Sequence, residues 1–517
     1  MKMGRLMQAL QHETKDGDLV PKAPLSPDLE IEALFYRAQD VTPGGLFVGI
    51  KGFTADGHDF IDQAVERGAL VVVCERPVAT RAAALVVRDT RRALAALAAE
   101  FYGHPSRHMT MVGITGTNGK TTTSYLIESI LIAAGHRAGV IGTVNYRFGG
   151  QCFDNPVTTP ESLDLQRILA DMRSAGTTHG VMEVSSHALD LQRIHGCEVD
   201  VAVFTNLSQD HLDFHHDMDA YWASKRRLFT HYLPVTNGKT AVRAVINEAD
   251  PHGKALAAEL ALPHLTTGLD AGCDLWAEGP RFHLDGIQAC LHTPKGALEI
   301  RSPLAGRHNL ENILNAAGAA IALDVPLAAI AAGIQRLDSV PGRLERVLDS
   351  QGRRFVFVDY AHTPDALEKA LQTLRELTRG RMICVFGCGG GRDRGKRPLM
   401  GAIAARLADL SVVTSDNPRN EPPELIIAQI VAGMGSDNLR VYGLEDLPDG
   451  MDVKGYTVLP DRRQAIDLGI RTARPGDTLL IAGKGHETYQ LISGVKHPFD
   501  DCQVAREALE KTAGHIQ

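Results

Sequence analysis

Nothing in this sequence restricts the fold as tightly as the run GITGTNGKTTT, residues 113–123. The apolar stretch MTMVGIT that leads into it reads as a strand, and TTTSYLIESILIAAG, which follows, reads as a helix. A glycine-rich turn between a strand and a helix aims backbone N–H groups and the positive end of the helix at one point, which suits phosphate. Gly116 and Gly119 let those N–H groups turn inward, Lys120 brings a positive charge, and Thr121 offers a hydroxyl to Mg²⁺. The spacing is G-x-x-G-K-T, shorter than the common G-x-x-x-x-G-K-[ST] loop. A chance glycine turn is the plain alternative, but it does not require Lys-Thr in register at the start of the helix. The expected ligand is an ATP-type nucleotide, and the expected fold class is α/β.

At 517 residues the chain is long for a single core, and at roughly 150 residues per domain two to four domains are expected. Three blocks are visible. In residues 1–107, GGLFVGIKG, ALVVVCE and AALVVRD are short strands alternating with helix-like DFIDQAVERG and TRRALAALAAEFYG, which predicts a small α/β domain. Residues 108–341 carry the phosphate loop, with HGVMEVSS and VDVAVFTNLS as further strands. Their continuous apolar character suits a parallel sheet buried on both faces. Pro341-Gly342 marks the next break. In residues 342–517, RFVFVDYA, RMICVFG, LSVVTSD, YTVLPD and DTLLIAG alternate with helical stretches, as in a doubly wound Rossmann-like sheet. Ligands of such sheets gather beyond the carboxyl ends of the strands. Gly387–Arg392, Asp416–Arg419 and Gly483–Glu487 all lie at such ends.

Composition narrows the class further. A 44% hydrophobic and 22% charged chain is that of an ordinary globular protein, and a net charge of −8 without long runs argues against a nucleic-acid surface. No run approaches the ~20 apolar residues of a membrane helix, and the start lacks a signal-peptide core. Eight cysteines without metal-like pairing read as reduced thiols; Cys384 and Cys388 are expected to line a core. A cytoplasmic enzyme is expected, without membrane insertion, and as a monomer.

Several polar residues fall at strand ends beside the phosphate loop. Glu183 ends its strand, and His211 follows the next one within NLSQDHLDFHH. With the Thr121 hydroxyl they are candidate Mg²⁺ ligands, since that ion takes few protein ligands and completes its shell with phosphate and water. The same segment admits a zinc-hydrolase reading through His211, Asp213, His215 and His216, with His187 as the nearest further histidine, or a plain helix-entry cluster. Lys225, on its own, reads as a solvated helix lysine. GCGGGR (387–392) is a poor dinucleotide fingerprint because Arg392 occupies its sixth position. In DNPR, the acid Asp416, the amide Asn417 and Arg419 around Pro418 can grip a group that is both ammonium and carboxylate; an Asx-Pro turn is the bland alternative.

The motifs TGTNGKTT, EVSSHAL, TNLSQDHLDFH, YWASKRRLF, GRHNLENILNAAG, PGRLE, DYAHTPD, GCGGGRDRGKRP, DNPR and AGKGHE occur in this order, and the chain resembles the Mur ligases from about Val41 to Asp500. The resemblance implies a three-domain architecture: a UDP-binding N-terminal domain (1–107), a central ATP-binding domain (108–341) and an amino-acid-binding C-terminal domain (342–517). It implies an ATP-dependent ligase of peptidoglycan precursor synthesis. ATP would activate the D-Glu γ-carboxylate of UDP-MurNAc-L-Ala-D-Glu as an acyl phosphate, which the amine of meso-diaminopimelate attacks. By motif, Gly116, Thr117, Asn118, Gly119, Lys120, Thr121 and Thr122 would bind ATP, with Asn309, Asn312, Arg343, Asp359 and His362 closing the nucleotide site. Glu183 and His211 would hold Mg²⁺. Thr158, Thr159, Ser185 and Arg193 would hold the muramoyl dipeptide. The resemblance also implies that Lys225 is carbamylated, which turns a cation into a carboxylate ligand for Mg²⁺ and reverses the solvated-lysine reading. Arg392, Asp416, Asn417, Pro418, Arg419, Gly483 and Glu487 would clamp the far end of diaminopimelate. Closure of the third domain on the second during turnover is expected as well.

The chain departs from the family in its first domain. Where relatives carry Asp-Ser-Arg just before VTPGGLF, this chain has Arg37, Ala38 and Gln39, so the serine that helps hold the UDP group is missing. Leu191 stands where some relatives have glutamine. Tyr36, Phe53, Thr54 and Ala55 are the neighbouring candidates for that site. Rival readings are a lysine-adding ligase, opposed by Arg419, and a folylpolyglutamate synthetase, opposed by the full first domain and EVSSHAL. A phosphate-loop switch protein without ligase activity is the rival from another class.

Overall fold

The computed structural model describes residues 1–13, 20–21, 25–233, 242–435, 439–447 and 453–514. The chain packs as two compact units: Met1–Glu278 with Leu291–Leu298 and Glu311–Ile334, and the remainder, chiefly from Gln335 onward.

The first unit holds two sheets. The smaller has Ala33–Phe35, Gly45–Val48, Ala69–Cys74 and Ala83–Val86 in parallel, with Val20–Pro21 antiparallel at its edge. Gly45–Val48, Ala69–Cys74 and Ala83–Val86 are the strands expected from the apolar runs of the first block; Ala33–Phe35 and Val20–Pro21 are additional. The helix Thr90–Phe101 is started by Asp89, whose carboxylate accepts the N–H groups of Arg91 and Arg92 at 2.9 and 3.0 Å.

The larger sheet has eight strands. Six are parallel, in the order His264–Thr267, Arg243–Asn247, Val201–Phe204, Thr110–Thr115, His179–Glu183 and Ala138–Ile141. Tyr146–Phe148 and Gln151–Phe153 add an antiparallel edge. Thr110–Thr115 therefore runs between the strand that ends in Glu183 and the strand that leads to Asn206. Buried Val112, Ile114, Val181, Val201 and Val203 line one face and buried Met111, Met182, Ala202 and Phe204 the other, as the continuous apolar runs predict.

The second unit is built on a seven-stranded sheet. Its order is Glu345–Val347, Phe355–Asp359, Thr478–Ala482, Met382–Phe386, Leu410–Val413, Gly455–Val458 and Arg440–Val441, all parallel except the first. All five strands expected from the third block form. The late strand Thr478–Ala482 inserts between Phe355–Asp359 and Met382–Phe386, so its exit loop lies beside theirs at the carboxyl ends, where such sheets hold ligands. The loops beginning at Gly483, Gly387 and Thr414 leave adjacent strands on this edge. Among the described residues, no helix is long and apolar enough to cross a membrane.

Candidate active site

In the first unit, both loop glycines are dictated by geometry. Gly116 has φ +147°, and a Cβ there would stand 1.9 Å from Thr205 Oγ1; Gly119 has φ +86°, and a Cβ would stand 2.3 Å from Asn312 Oδ1. The turn is fastened to the next strand's exit. Asn118 N–H donates to Asn206 Oδ1 (2.9 Å), Thr205 Oγ1 donates to Asn118 O (2.6 Å), and Ser208 N–H donates to Thr117 Oγ1 (3.0 Å). The helix Lys120–Ala133 opens directly from the turn. Lys120 Nζ donates to Gly116 O at 2.9 Å and to Thr117 O at 2.8 Å, so its charge stands over the cradle. Thr122 is buried in the helix's first turn. Asn312 accepts from Thr123 Oγ1 at 3.4 Å and so belongs to this loop's surroundings.

Thr121 and Glu183 meet as the sequence suggests: Thr121 Oγ1 donates to Glu183 Oε2 at 3.0 Å, and Glu183 is 1% exposed. Thr143, which sequence reasoning passed over, donates its N–H to Glu183 Oε1 (3.1 Å) and its hydroxyl to Oε2 (2.8 Å). His211 has a left-handed backbone (φ 54°), leans on Asp210 at 3.4 Å, and meets the edge of His187 at 4.8 Å between ring centres. Burial lowers the His211 pKa, against the pull of Asp210. His187 is lowered to about 4, by burial first and then by His211, and its ring stacks on Phe214.

Lys225 corrects the solvated-lysine reading taken from the residue alone. It is 1% exposed, its Nζ donates to Gly116 O at 2.8 Å, and it lies 4.4 Å from the centre of the Tyr221 ring. Burial, followed by the charge of Lys120, pushes its pKa well below the ordinary lysine range. A shift in that direction favours the neutral amine, which is a nucleophile rather than an ion-pair partner.

The residues expected around the muramoyl dipeptide cluster beside Glu183. Thr159 Oγ1 donates to Glu183 O (2.8 Å) and accepts Ser185 N–H (3.1 Å); Thr158 Oγ1 lies 3.1 Å from Thr143 Oγ1. Ser185 caps a short helix by accepting Ala188 N–H at 3.1 Å. Arg193 donates to Thr159 O at 3.0 Å and lies 3.5 Å from Glu161, which Arg91 also bonds at 2.8 Å. Further out, Tyr36 donates to Asp164 at 2.6 Å. Ala38 is buried, and its carbonyl accepts Val41 N–H. Phe53, Thr54 and Ala55 are exposed, with Phe53 edge-on to Phe214 at 5.7 Å. Leu191 is partly buried, and the glutamine that follows it, Gln192, donates to Asp89 at 2.6 Å.

The second unit carries a different constellation. Asp416 is 6% exposed, and its Oδ1 has no hydrogen-bond partner among the described residues. Asn417 Nδ2 donates to Glu487 Oε2 at 2.8 Å, while its Oδ1 accepts from Leu491 N–H at 2.9 Å. Arg419 follows Pro418 with φ 55°; its N–H donates to Leu491 O, its O accepts Ser493 N–H, and its guanidinium donates to Gly390 O at 2.8 Å. Gly483 has φ +120°, which favours glycine, and a Cβ there would lie in ordinary contact with the Asp416 carboxylate at 3.7 Å. Arg392 is exposed on the glycine loop. Sequence reasoning missed what anchors that loop. Arg397 is fully buried, donates to Glu421 at 3.0 Å and to Gly389 O at 3.1 Å, and Glu421 in turn accepts Gly391 N–H at 2.6 Å.

Asp359, Arg343, His362 and Asn309 also belong to the second unit. Asp359 accepts Leu344 N–H at 2.7 Å and Ala361 N–H at 2.9 Å, and burial raises its pKa. Arg343 lies over Tyr360 at 5.3 Å, His362 Nδ1 is bonded to Tyr360 O at 2.8 Å, and Asn309 Nδ2 donates to Ala305 O at 2.8 Å.

Comparison with known proteins agrees along the whole chain. Family models described as "Mur ligase family, catalytic domain", "Mur ligase middle domain" and "Mur ligase, glutamate ligase domain" match residues 30–102, 114–320 and 342–485. A UDP-N-acetylmuramoyl-L-alanyl-D-glutamate–2,6-diaminopimelate ligase from Geobacter metallireducens is 51% identical over 95% of this chain and 96% of its own. One of the same name from Bacillus licheniformis is 43% identical over 98% and 99%. A solved structure of such a ligase superposes with TM-score 0.70 at 32% identity, covering 96% of this chain and 98% of the other. The MurF ligase of Thermotoga maritima in complex with ADP shares the fold at TM-score 0.61 and 21% identity, covering 95% and 100%.

Proposed function

As the chain belongs to the Mur ligase family, we propose that it is an ATP-dependent ligase that joins meso-diaminopimelate to the D-Glu γ-carboxylate of UDP-MurNAc-L-Ala-D-Glu in peptidoglycan precursor synthesis. The observation that carries this reading is the convergence of Asp416, Asn417, Arg419 and Glu487 at adjacent strand ends, in a chain alike over 95% of its length to a ligase of that name. Residues 1–107 would receive the UDP group, 108–341 ATP, and 342–517 the incoming amino acid.

A carboxylate is a poor electrophile until one oxygen becomes a leaving group, so the γ-phosphoryl of ATP is transferred to the D-Glu γ-carboxylate and ADP departs. The amine of diaminopimelate then attacks the acyl carbon, a tetrahedral intermediate forms, and phosphate leaves as the amide forms. In this reading Gly116–Thr122 cradle the phosphates and Lys120 swings from its two carbonyl partners onto phosphate oxygen. That supplies positive charge where two anions must approach. Asn312 closes the loop side, and Asn309, Arg343, Asp359 and His362 are assigned to the nucleotide from the second unit's residues.

The oxygen donors Thr121 and Glu183, buried together, suit a hard divalent ion. Mg²⁺ held there with His211 would neutralise phosphate charge. A neutral, buried Lys225 can add CO₂, forming an N–C bond and releasing a proton, and the resulting carbamate would be a further oxygen ligand. Thr158, Thr159, Ser185 and Arg193 would orient the dipeptide, with Tyr36, Ala38, Phe53, Thr54, Ala55 and Leu191 nearer the UDP end. Arg392 and Arg419 would pair with the distal carboxylate of diaminopimelate, Asp416, Asn417 and Glu487 would receive its ammonium, and Pro418 and Gly483 would shape the walls. L-Lysine, lacking that carboxylate, would leave Arg419 unpaired.

The test is phosphate release with Mg-ATP and UDP-MurNAc-L-Ala-D-Glu, comparing meso-diaminopimelate with L-lysine. Release and tripeptide formation with diaminopimelate alone are expected. Turnover with lysine overturns the amino-acid assignment. ATP hydrolysis indifferent to amino acid overturns the ligase.

A further inference from the structure

Between Gly483 and Glu487, at the end of Thr478–Ala482, the chain carries a lysine that the reaction above does not use. Lys484 is 0% exposed. Its Nζ donates to Glu487 Oε2 at 3.0 Å and to Asn417 Oδ1 at 3.1 Å, and lies 3.9 Å from Asp416 Oδ1. It thus touches all three groups expected to receive the amino acid's ammonium. The backbone is shaped for it: Gly483 and Gly485 on either side have φ +120° and +52°, and a Cβ on Gly485 would stand 2.6 Å from Tyr360 Cβ.

We propose that Lys484 is a positioning and specificity residue, which neutralises one of the two carboxylates of the amino-acid site so that the site accepts a zwitterionic α-amino-acid head and not a lone ammonium. The inference rests on reading this site as the one that holds the far end of the amino acid. Asp416 and Glu487 carry two negative charges, and Lys484 offsets one. One negative charge remains for the ligand's ammonium, and Asp416 Oδ1, without a hydrogen-bond partner among the described residues, is the acceptor left open. Arg419 supplies one positive charge for the ligand's carboxylate. Arg462 and Asp501, both 0% exposed, neutralise each other at 2.6 Å. Burial lowers the pKa of His362 and takes that of His486 to about 4, so both are neutral at pH 7. Arg343 faces the Asp359 carboxylate. Asp416, Glu487, Lys484 and Arg419 then balance one another, with Arg392 exposed on its loop and Lys396 bonded to His362 O; a zwitterion suits that balance, whereas a lysine side chain brings a positive charge with no negative one.

The test uses the full-length enzyme with ATP and UDP-muramoyl dipeptide saturating, comparing wild type, Lys484→Met, Glu487→Gln and the double variant. In Lys484→Met the KM for meso-diaminopimelate should rise about tenfold or more with kcat little changed. The preference for diaminopimelate over L-lysine should fall by a similar factor, because a site with an extra negative charge admits a cation. The decisive comparison is the second background. Glu487→Gln alone leaves Asp416 opposed by Lys484 and no net charge for the ammonium, so adding Lys484→Met should lower the diaminopimelate KM again. A lysine with a merely structural role harms both backgrounds and leaves the amino-acid preference where it was. KM and preference within twofold of wild type in Lys484→Met, or no improvement in the double variant, overturns the proposal. If Lys484→Met does not fold, the pair of Glu487→Gln and the double variant decides alone. A wild-type enzyme that ignores diaminopimelate would instead overturn the reading of the site itself.

Discussion

Among the described residues, Lys225 and Lys484 are the two lysines that the fold takes out of water, at 1% and 0% exposure, and they are treated in opposite ways. Lys225 is given a backbone carbonyl, an aromatic face and the positive neighbour Lys120. Lys484 is given a carboxylate at 3.0 Å, an amide oxygen at 3.1 Å and a second carboxylate at 3.9 Å. Removing an ammonium from water costs several kcal/mol unless opposite charge replaces the water. Where none is in contact the amine holds its proton less tightly, and where carboxylates surround it the charge becomes part of the wall. Burial alone therefore does not say what a lysine is for; the atoms within about 4 Å of its nitrogen do.

The contrast breaks most sharply under Lys225→Met. If the neutral amine is the precursor of a metal-binding carbamate, turnover should fall by roughly a thousandfold or more. Thermal unfolding should move little, because methionine replaces an amine that has no ion-pair partner among the described residues. Comparable losses of activity and stability would mean that Lys225 is structural. Lys484→Met should behave in the reverse way. It strands Glu487 and Asp416 in a partly buried site without their shared cation, and breaking a pair of that kind costs about 3 kcal/mol or more. Chemical denaturation followed by a probe in the second unit should register that loss, and an unchanged midpoint would dissolve the distinction between the two lysines.

Much of this was legible in the sequence. The phosphate loop could be read because its chemistry is contiguous: strand, two glycines, Lys120 and Thr121 sit within a few residues. The three ligand-bearing loops of the second unit could be read because each follows a strand, although their adjacency depended on Thr478–Ala482 inserting between earlier strands. Lys225 could not be read from composition, since its helix Met218–Arg227 is mostly polar. Its one local sign was Tyr221, four residues earlier and on the same face, where lysine and aromatic ring meet. Thr143 carried no sign, because it reaches Glu183 from the end of the neighbouring strand, forty residues away in sequence. Lys484 was hidden by its neighbours, as glycine-flanked lysine in GKGHE reads as a flexible loop until burial is known. Arg397 and Glu421 are joined only by the packing of helix Lys396–Leu407 against the loop that holds Arg419.

Arg419 sharpens the comparison on the ligand side. Its left-handed backbone is held by Leu491 and Ser493, so the guanidinium is aimed before any ligand arrives. Arg419→Ala should cost the reaction with diaminopimelate about a hundredfold in kcat/KM, the worth of a charge-assisted, bidentate contact. Lysine, which has no distal carboxylate to lose, should be affected far less. Equal losses on the two amino acids would show that Arg419 holds the loop rather than the ligand.

The smallest effect expected concerns a charge that the second unit keeps out. Burial, with Arg343 beside it, takes the His486 pKa to about 4, against 6.5 for an ordinary histidine. The unfolded chain therefore binds a proton on His486 at a higher pH than the folded one. The stabilising difference is complete above about pH 6.5 and is lost as the pH falls toward 4. Between pH 7 and 5 this amounts to on the order of 1–2 kcal/mol. Replacing His486 with glutamine should flatten that part of the stability–pH curve without moving its value at pH 8 by a similar amount. His187 in the first unit, also near 4, should leave its own acid slope intact in that variant. A curve that stays just as steep after His486→Gln would show that the excluded charge of His486 does not contribute to the acid sensitivity, and the assignment of that slope to His486 would fall.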